Sequence, residues 1–260
     1  MINDKRIIYY YQTFVGLNNI INSNNKVTHI HLSSIHFGSS KNPYIHLNNY
    51  SPYDVKFNSV WDDIKLAKKS GIKIILMVGG AGGAFQTLFS NFNNYYTLLK
   101  DLILNKIDLI DGIDLDIEET VNINDIEKLI NKLKTDFGNS FIITMAPIQS
   151  SIENDINGMG GFIYKDLYLK CGHLIDYFNV QCYNEYSIES YTKMIQNGYP
   201  EDKIVMGSIS SQNLNSNLEV IKNINKKYTK FGGVFNWEYY DSPPGTNHSE
   251  WSQLMYNALN

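Results

Sequence analysis

Residues 109–119 read LIDGIDLDIEE, an apolar run interrupted by Asp111, Asp114, Asp116 and Glu118. From Ile113 to Ile117 apolar and acidic residues alternate, which is the period of a β-strand. Asp114, Asp116 and Glu118 stand two apart and so project from one face. Ile113, Leu115 and Ile117 project from the other, into a packed layer. The Ile-rich face and the break at Gly112 predict a buried parallel strand. Carboxylates crowded on one face repel one another, and burying them ionised is unfavourable, so each pushes its neighbours' pKa upward. A purely structural strand gains nothing from this, whereas a general acid that must hold its proton near neutral pH does. On spacing alone two other readings stay open: a solvated polar face on an edge strand, and a calcium or magnesium site.

The rest of the chain sets that strand in a regular cadence. Strands are predicted at 6–12, 27–37, 72–78, through the acid run, and at 141–147, 174–184, 203–209 and 232–240. Helical spacing is found at 58–70, 86–106, 122–137, around 164–172, and at 187–197, 214–229 and 249–259. A weak short helix is expected in GLNNIINSN, and a loop carries Pro43 and Pro52. Gly71, Gly138 and Gly198 stand where helices should stop. Eight strands, each followed by a helix, give the count of a (β/α)8 TIM barrel, and 260 residues suit one such domain, 1–260. A doubly wound open sheet is the competing architecture. It would need a phosphate-binding turn, and GGAGG at 79–83 lacks the G-x-G-x-x-G spacing.

Composition excludes some function classes. With 22 Lys and Arg against 26 Asp and Glu, and no basic block, neither nucleic acid nor an anionic membrane surface is an expected partner. No apolar run reaches the length of a membrane span. Cys171 and Cys182 make no disulfide framework and are expected as buried thiols. No secretory signal follows Met1, so location is left open between the cytoplasm, another export route and a trimmed leader. His29, His31 and His36 look like a metal cluster, but no acid or Cys stands beside them at ligand spacing, and no metal is expected. Trp61 and Trp251 fall on predicted helices and read as packing.

In a barrel of this kind the chemistry gathers at the C-terminal ends of the strands. Tyr10 and Gln12 end the first strand on one face, Glu118 ends the fourth, Met145 to Pro147 the fifth, and Trp237 the eighth. Gln181 and Tyr183 share a face at the end of the sixth, followed by Asn184. Polar and aromatic groups from several strands thus converge on the rim that carries the acids.

Asp111-x-x-Asp114-x-Asp116-x-Glu118 matches the D-x-x-D-x-D-x-E signature of family 18 glycoside hydrolases, the chitinases and endo-β-N-acetylglucosaminidases. IIYYYQTF, ILMVGGAGG, ITMAP, QCYN and FGGVFNW resemble that family's motifs in order, so the resemblance spans essentially the whole chain. Met77 departs from it, standing where the family usually has a Ser that hydrogen-bonds the early aspartates. The small α+β insertion of some chitinases would need more residues than lie between strands seven and eight, so the compact single-barrel form is expected.

The resemblance implies retaining hydrolysis assisted by the substrate's own 2-acetamido group. Glu118 would be the acid and then the base, and Asp116 would orient the acetamido N–H. Asp114, and less directly Asp111, would tune the cluster, and Tyr183 would bond the acetamido oxygen. Trp237 would floor the sugar, with Tyr10, Gly79, Gly80, Met145, Gln181 and Asn184 around the pocket. The implied partner is an N-acetylglucosamine-containing polysaccharide or oligosaccharide, bound by a monomer without cofactor. Chitin, the N-glycan core and a lectin-like barrel that binds without cutting remain as alternatives.

Overall fold

Gly112–Asp116 forms the strand β5, and its five residues are all buried. The computed structural model describes residues 5–21, 26–245 and 247–260. Within them the strands are β1 (Arg6–Tyr11), β2 (His29–Gly38), β3 (Tyr44–Leu47), β4 (Lys73–Gly79), β5, β6 (Ile142–Met145), β7 (Tyr177–Gln181), β8 (Ile204–Ile209) and β9 (Gly233–Trp237). All but β3 run parallel in sequence order, and β1 pairs with both β9 and β2, which closes an eight-stranded barrel. Closure leaves the eight parallel strands of the ring without a free edge, so backbone donors and acceptors along the ring are paired.

The helices are α1 (Asn18–Ile21), α2 (Asn58–Lys69), α3 (Ala84–Ser90), α4 (Phe92–Asn105), α5 (Ile123–Phe137), α6 (Gln149–Glu153), α7 (Tyr164–Cys171), α8 (Ile188–Gln196), α9 (Leu214–Lys227) and α10 (His248–Leu259). They supply one side of a large apolar layer, and the outward side chains of the strands supply the other. A second, smaller apolar cluster of Ile8, Tyr10, Met77, Tyr177, Val205 and Phe235 plugs the inside of the barrel. Pleat alternation decides which layer a residue joins. In β5, Ile113 and Leu115 enter the outer layer, leaving Asp114 and Asp116 for the interior.

The predicted barrel is present, with three differences of detail. Tyr44–Leu47 forms the strand β3, which pairs antiparallel with the far end of β2; the loop expected there is a hairpin arm. The single helix expected over 86–106 is two, broken at Asn91, whose φ of −152° and ψ of 72° leave helical space. Between the strand expected at 141–147 and the helix expected around 164–172 lies a further short helix, α6. Of the weak helix expected in GLNNIINSN, α1 is seen, and its last residues lie outside the described ones. Cys171 and Cys182 are buried free thiols, and Trp61 and Trp251 are buried packing residues.

Candidate active site

The carboxylates of β5 stand on an ordered stack. Asp114, fully buried, is the lower of the two interior acids. Its Oδ2 accepts from Tyr10 Oη at 2.8 Å, and its Oδ1 from Thr144 Oγ1 at 2.5 Å and Asn179 Nδ2 at 3.1 Å. His31, also fully buried, places Nδ1 3.4 Å from Asp114 Oδ2. Burial alone would raise the pKa of Asp114, but the electrostatic pull of the close-lying His31 and the bonds from Thr144 and Tyr10 outweigh it and hold this carboxyl below its ordinary value.

One strand repeat higher the balance reverses. Burial pushes Asp116 well above the ordinary carboxylate range, and Glu118, Asp114 and Glu119 push it further. Glu118 is half-buried and is raised by burial and by Glu119, against the opposing bond from Gln181. Gln181 Nε2 lies 3.2 Å from Asp116 Oδ1, 3.4 Å from Glu118 Oε1 and 2.9 Å from the Ala146 carbonyl, so one amide ties the two acids to the end of β6. Neighbouring acids with opposed shifts are how one fold keeps a charge and a transferable proton side by side.

The turn after β4 is built against this pair. Gly79 has φ +100°, and a Cβ there would meet the Asp116 carbonyl at 2.2 Å. Gly80, at φ +77°, donates its N–H to that carbonyl at 2.8 Å. Only glycine allows the backbone this approach in this conformation. Glu119, next to Glu118, accepts from the N–H groups of Phe85 at 2.5 Å and Gln86 at 3.3 Å and so fixes the far side of the same turn.

Above the acids opens a cavity of about 340 Å³ lined by Gln12, Ser34, His36, Met77, Gly79, Gly80, Ala81, Asp116, Glu118, Gln181, Tyr183 and Trp237. Trp237 sits over Tyr10, ring centroids 5.3 Å apart, and Tyr183 meets Phe235 edge-on. A partly exposed tryptophan, a tyrosine and paired acids in one concave site suit a ligand with an apolar ring face and a hydrogen-bonding rim.

The residues 6–256 match the family model described as glycosyl hydrolases family 18. The chain belongs to that family. It is 31% identical to a fungal endo-β-N-acetylglucosaminidase of known structure, covering 98% of each chain with a TM-score of 0.91. It is 29% identical to a chitinase from Aspergillus fumigatus, over 98% of this chain and 100% of that one, with a TM-score of 0.87. Chitinase 2 of Rhizopus oligosporus is 24% identical over 237 residues, 77% of this chain but 40% of its own, so the chain spans about two fifths of that relative's length. An acidic endochitinase of Vitis vinifera is 27% identical over 82% of this chain and 78% of its own.

Of the residues expected from this family 18 sequence, Asp116, Glu118, Gly79, Gly80, Gln181, Tyr183 and Trp237 meet at the cavity. Asp114 lies beneath them and outside the lining, and four others are placed elsewhere. Asp111 lies at the opposite end of β5, where it accepts from the Ile74 N–H at 2.9 Å and pairs with Lys68 and Lys73, so it does not join the acid cluster. Its offset of three from Asp114 puts it on the other face of the strand, a signal the sequence already carried. Met145 points outward into the helix-covered layer, while its neighbour Thr144 faces inward. Tyr10 does not line the cavity but lies under Trp237 and holds Asp114. Asn184 is exposed and outside the lining.

Reading the sequence missed Thr144, Asn179, Ser34 and the two roles of the histidines. Asn179 shares the parity of Gln181 and Tyr183, which could have revealed it. The three histidines do not form a cluster: His29 is at the lower end beside Arg6, His31 is under Asp114, and His36 is at the mouth. Among the described residues no group of three His, Cys, Asp or Glu side chains is placed to hold a metal.

Proposed function

We propose that this chain hydrolyses β-1,4 bonds between N-acetylglucosamine units, as in chitin and chitooligosaccharides, with retention of configuration and with Glu118 as acid and base. The observation that carries this reading is the pair of acids of raised pKa, Asp116 and Glu118, bridged by Gln181 under a tryptophan-floored cavity. Glu118 is the half-exposed member and faces the cavity, as a group that protonates a glycosidic oxygen and then deprotonates water must. Asp116 is deeper, and burial and the neighbouring acids favour its protonated form. It is positioned to orient the acetamido group of the sugar and to take up charge as that group attacks the anomeric carbon. Tyr183 supplies a hydroxyl on the opposite wall for the acetamido oxygen, and Trp237 supplies the floor.

A second reading is that the same bond is cut within the core of N-glycans. What favours it is the similarity to the fungal endo-β-N-acetylglucosaminidase, together with the surface beside the cavity. There Gln12, Thr13, Ser34, His36, His46, Asn48 and Asn49 form a broad polar groove with more hydrogen-bonding groups than rings, which suits hydroxyl-rich branches. Fluorogenic N,N′-diacetylchitobioside and a high-mannose glycoprotein, assayed in parallel with Glu118→Gln as control, separate the two. Release from the chitobioside supports the first reading, and deglycosylation alone supports the second. Chitooligosaccharide binding without cleavage of either substrate would make the barrel a lectin.

A further inference from the structure

Met77 is register-paired with Asp114 across β4 and β5, and its thioether side chain faces the barrel interior, where it donates nothing to the acid beside it. Asp114 is nevertheless fully buried, with Tyr10, Thr144 and Asn179 donating to its two oxygens and His31 beside them. A buried carboxylate needs a compensating partner, because an isolated one is driven to its neutral form. Tyr10, Thr144 and Asn179 are neutral donors. The one side chain in the stack that can carry a positive charge, among the described residues, is His31 on β2, two strands away from β5.

The setting of His31 is unusual for an interior histidine. It is fully buried, its Nδ1 has no aligned hydrogen-bond partner, and that nitrogen lies 3.4 Å from Asp114 Oδ2. Its other nitrogen, Nε2, lies 3.3 Å from the hydroxyl of Tyr177 on β7. The ring packs on Tyr10 of β1, centroids 4.7 Å apart. Below it on β2 is His29, which also has Arg6 and Lys73 near it, and the Arg6 guanidinium covers the ring of Tyr177 at 4.2 Å. On β4 the apolar Ile75 is register-paired with His31, while Met77 of β4 and Thr144 of β6 stand against Asp114.

We infer that His31 is a positioning residue of the reaction proposed above: it keeps Asp114 ionised across the barrel axis, in place of a hydroxyl on β4, and thereby keeps Asp116 in the protonated form that orients the acetamido group beside Glu118. The logic is electrostatic. Asp114 charged beneath Asp116 makes loss of a second proton unfavourable, so the upper acid stays neutral and available. Without His31, burial would favour protonating Asp114, and the proton would be stored one strand repeat too low to serve the cavity. His31 touches no reacting atom and acts only through Asp114.

The test rests on the functional reading for its kinetics but not for its second readout. His31→Phe and His31→Gln are compared with wild type on the chitobioside and the glycoprotein, and the aspartate carboxyls are titrated by 13C NMR, with Asp114→Asn to assign the buried signal. In His31→Phe, kcat is expected to fall about 10- to 100-fold, the factor that loss of one charge-assisted partner implies. KM stays within about twofold, because ground-state contacts are untouched, and the Asp114 carboxyl titrates at higher pH. His31→Gln, which still offers a donor, retains more activity. Adding Met77→Ser to His31→Phe restores part of the loss by placing a hydroxyl at the register-paired position. A folded His31→Phe with unchanged kcat and an unchanged Asp114 titration overturns the inference. So does a loss of kcat that leaves the Asp114 titration unmoved and is not repaired by Met77→Ser. If His31→Phe does not fold, the Asp114 titration of His31→Gln decides by the same criterion. If wild type cleaves neither substrate, the functional reading fails, and the carboxyl titrations still decide the role of His31.

Discussion

The two ends of β5 carry the same kind of residue in opposite circumstances. At the lower end Asp111 has Lys68 at 2.5 Å, Lys73 at 3.3 Å and a backbone N–H at 2.9 Å. At the upper end Asp116, Glu118 and Glu119 have no lysine or arginine in an ion pair among the described residues, and their pKa values are raised first of all by burial. An acid given cations stabilises a fold. Acids denied cations and pressed together store a proton at the expense of stability. The bottom of the barrel is therefore built for stability and the top for chemistry, on either side of a strand of five residues.

Replacing Glu118 attacks the upper end most directly. Glu118→Gln is expected to lower kcat by about 100- to 10,000-fold, the range for loss of a general acid and base. Binding of chitooligosaccharides, followed by calorimetry, should be largely kept; more than a few per cent of residual turnover would break the comparison.

Asp116→Asn should lower kcat by about 100-fold or more on N-acetylated substrates, the scale for removing one group that stabilises transition-state charge. It should also raise the thermal midpoint at neutral pH. The sign follows from linkage. The folded-state pKa of Asp116 lies above its unfolded value, so its contribution to stability is full at acid pH and is lost as pH rises toward the folded pKa. An amide removes that loss. Asp114, held below its ordinary value, behaves in the opposite way: its contribution is present above the unfolded pKa and lost as pH falls through the folded one, so Asp114→Asn should lower the midpoint. Melting curves of both variants at acid and neutral pH would sharpen the contrast or erase it. The rate profile should reflect the same raised acids, with an alkaline limb of kcat/KM above the ordinary carboxylate range.

The smaller effects belong to the lower end and the outer layer. Asp111→Asn should lose about 1 kcal/mol in denaturant unfolding, because its lysines are partly exposed and screened, while kcat stays as in wild type. Met145→Leu, a volume-conserving change in the outer layer, should cost less than about 1.5 kcal/mol and leave activity alone. An activity loss in either would return that residue to the site.

These variants also mark how far the sequence could be read. Strand-and-helix cadence was enough for the barrel, because each strand's apolar face had only one way to be covered. Residues two apart on one strand, such as Asp114, Asp116 and Glu118 or Gln181 and Tyr183, could be grouped correctly. Residues matched only to a motif could not: Asp111 and Met145 fit the signature but not the pleat. Tyr10 has the right parity and still lies below the cavity, because depth along the barrel axis depends on strand register, which a local pattern does not contain.

The sequence by itself determined that acids would share one face of a buried strand, since the period of a β-strand is a property of the chain alone. Only the tertiary structure decided which of those acids would be charged. Asp114 and Asp116 are the same residue in the same alternating run, two positions apart. Closure of the barrel brings Tyr10, His31, Thr144 and Asn179 from four other strands to the first, and to the second the Gln181 amide and the neighbouring carboxylates. The difference between a held charge and a held proton lies in those partners.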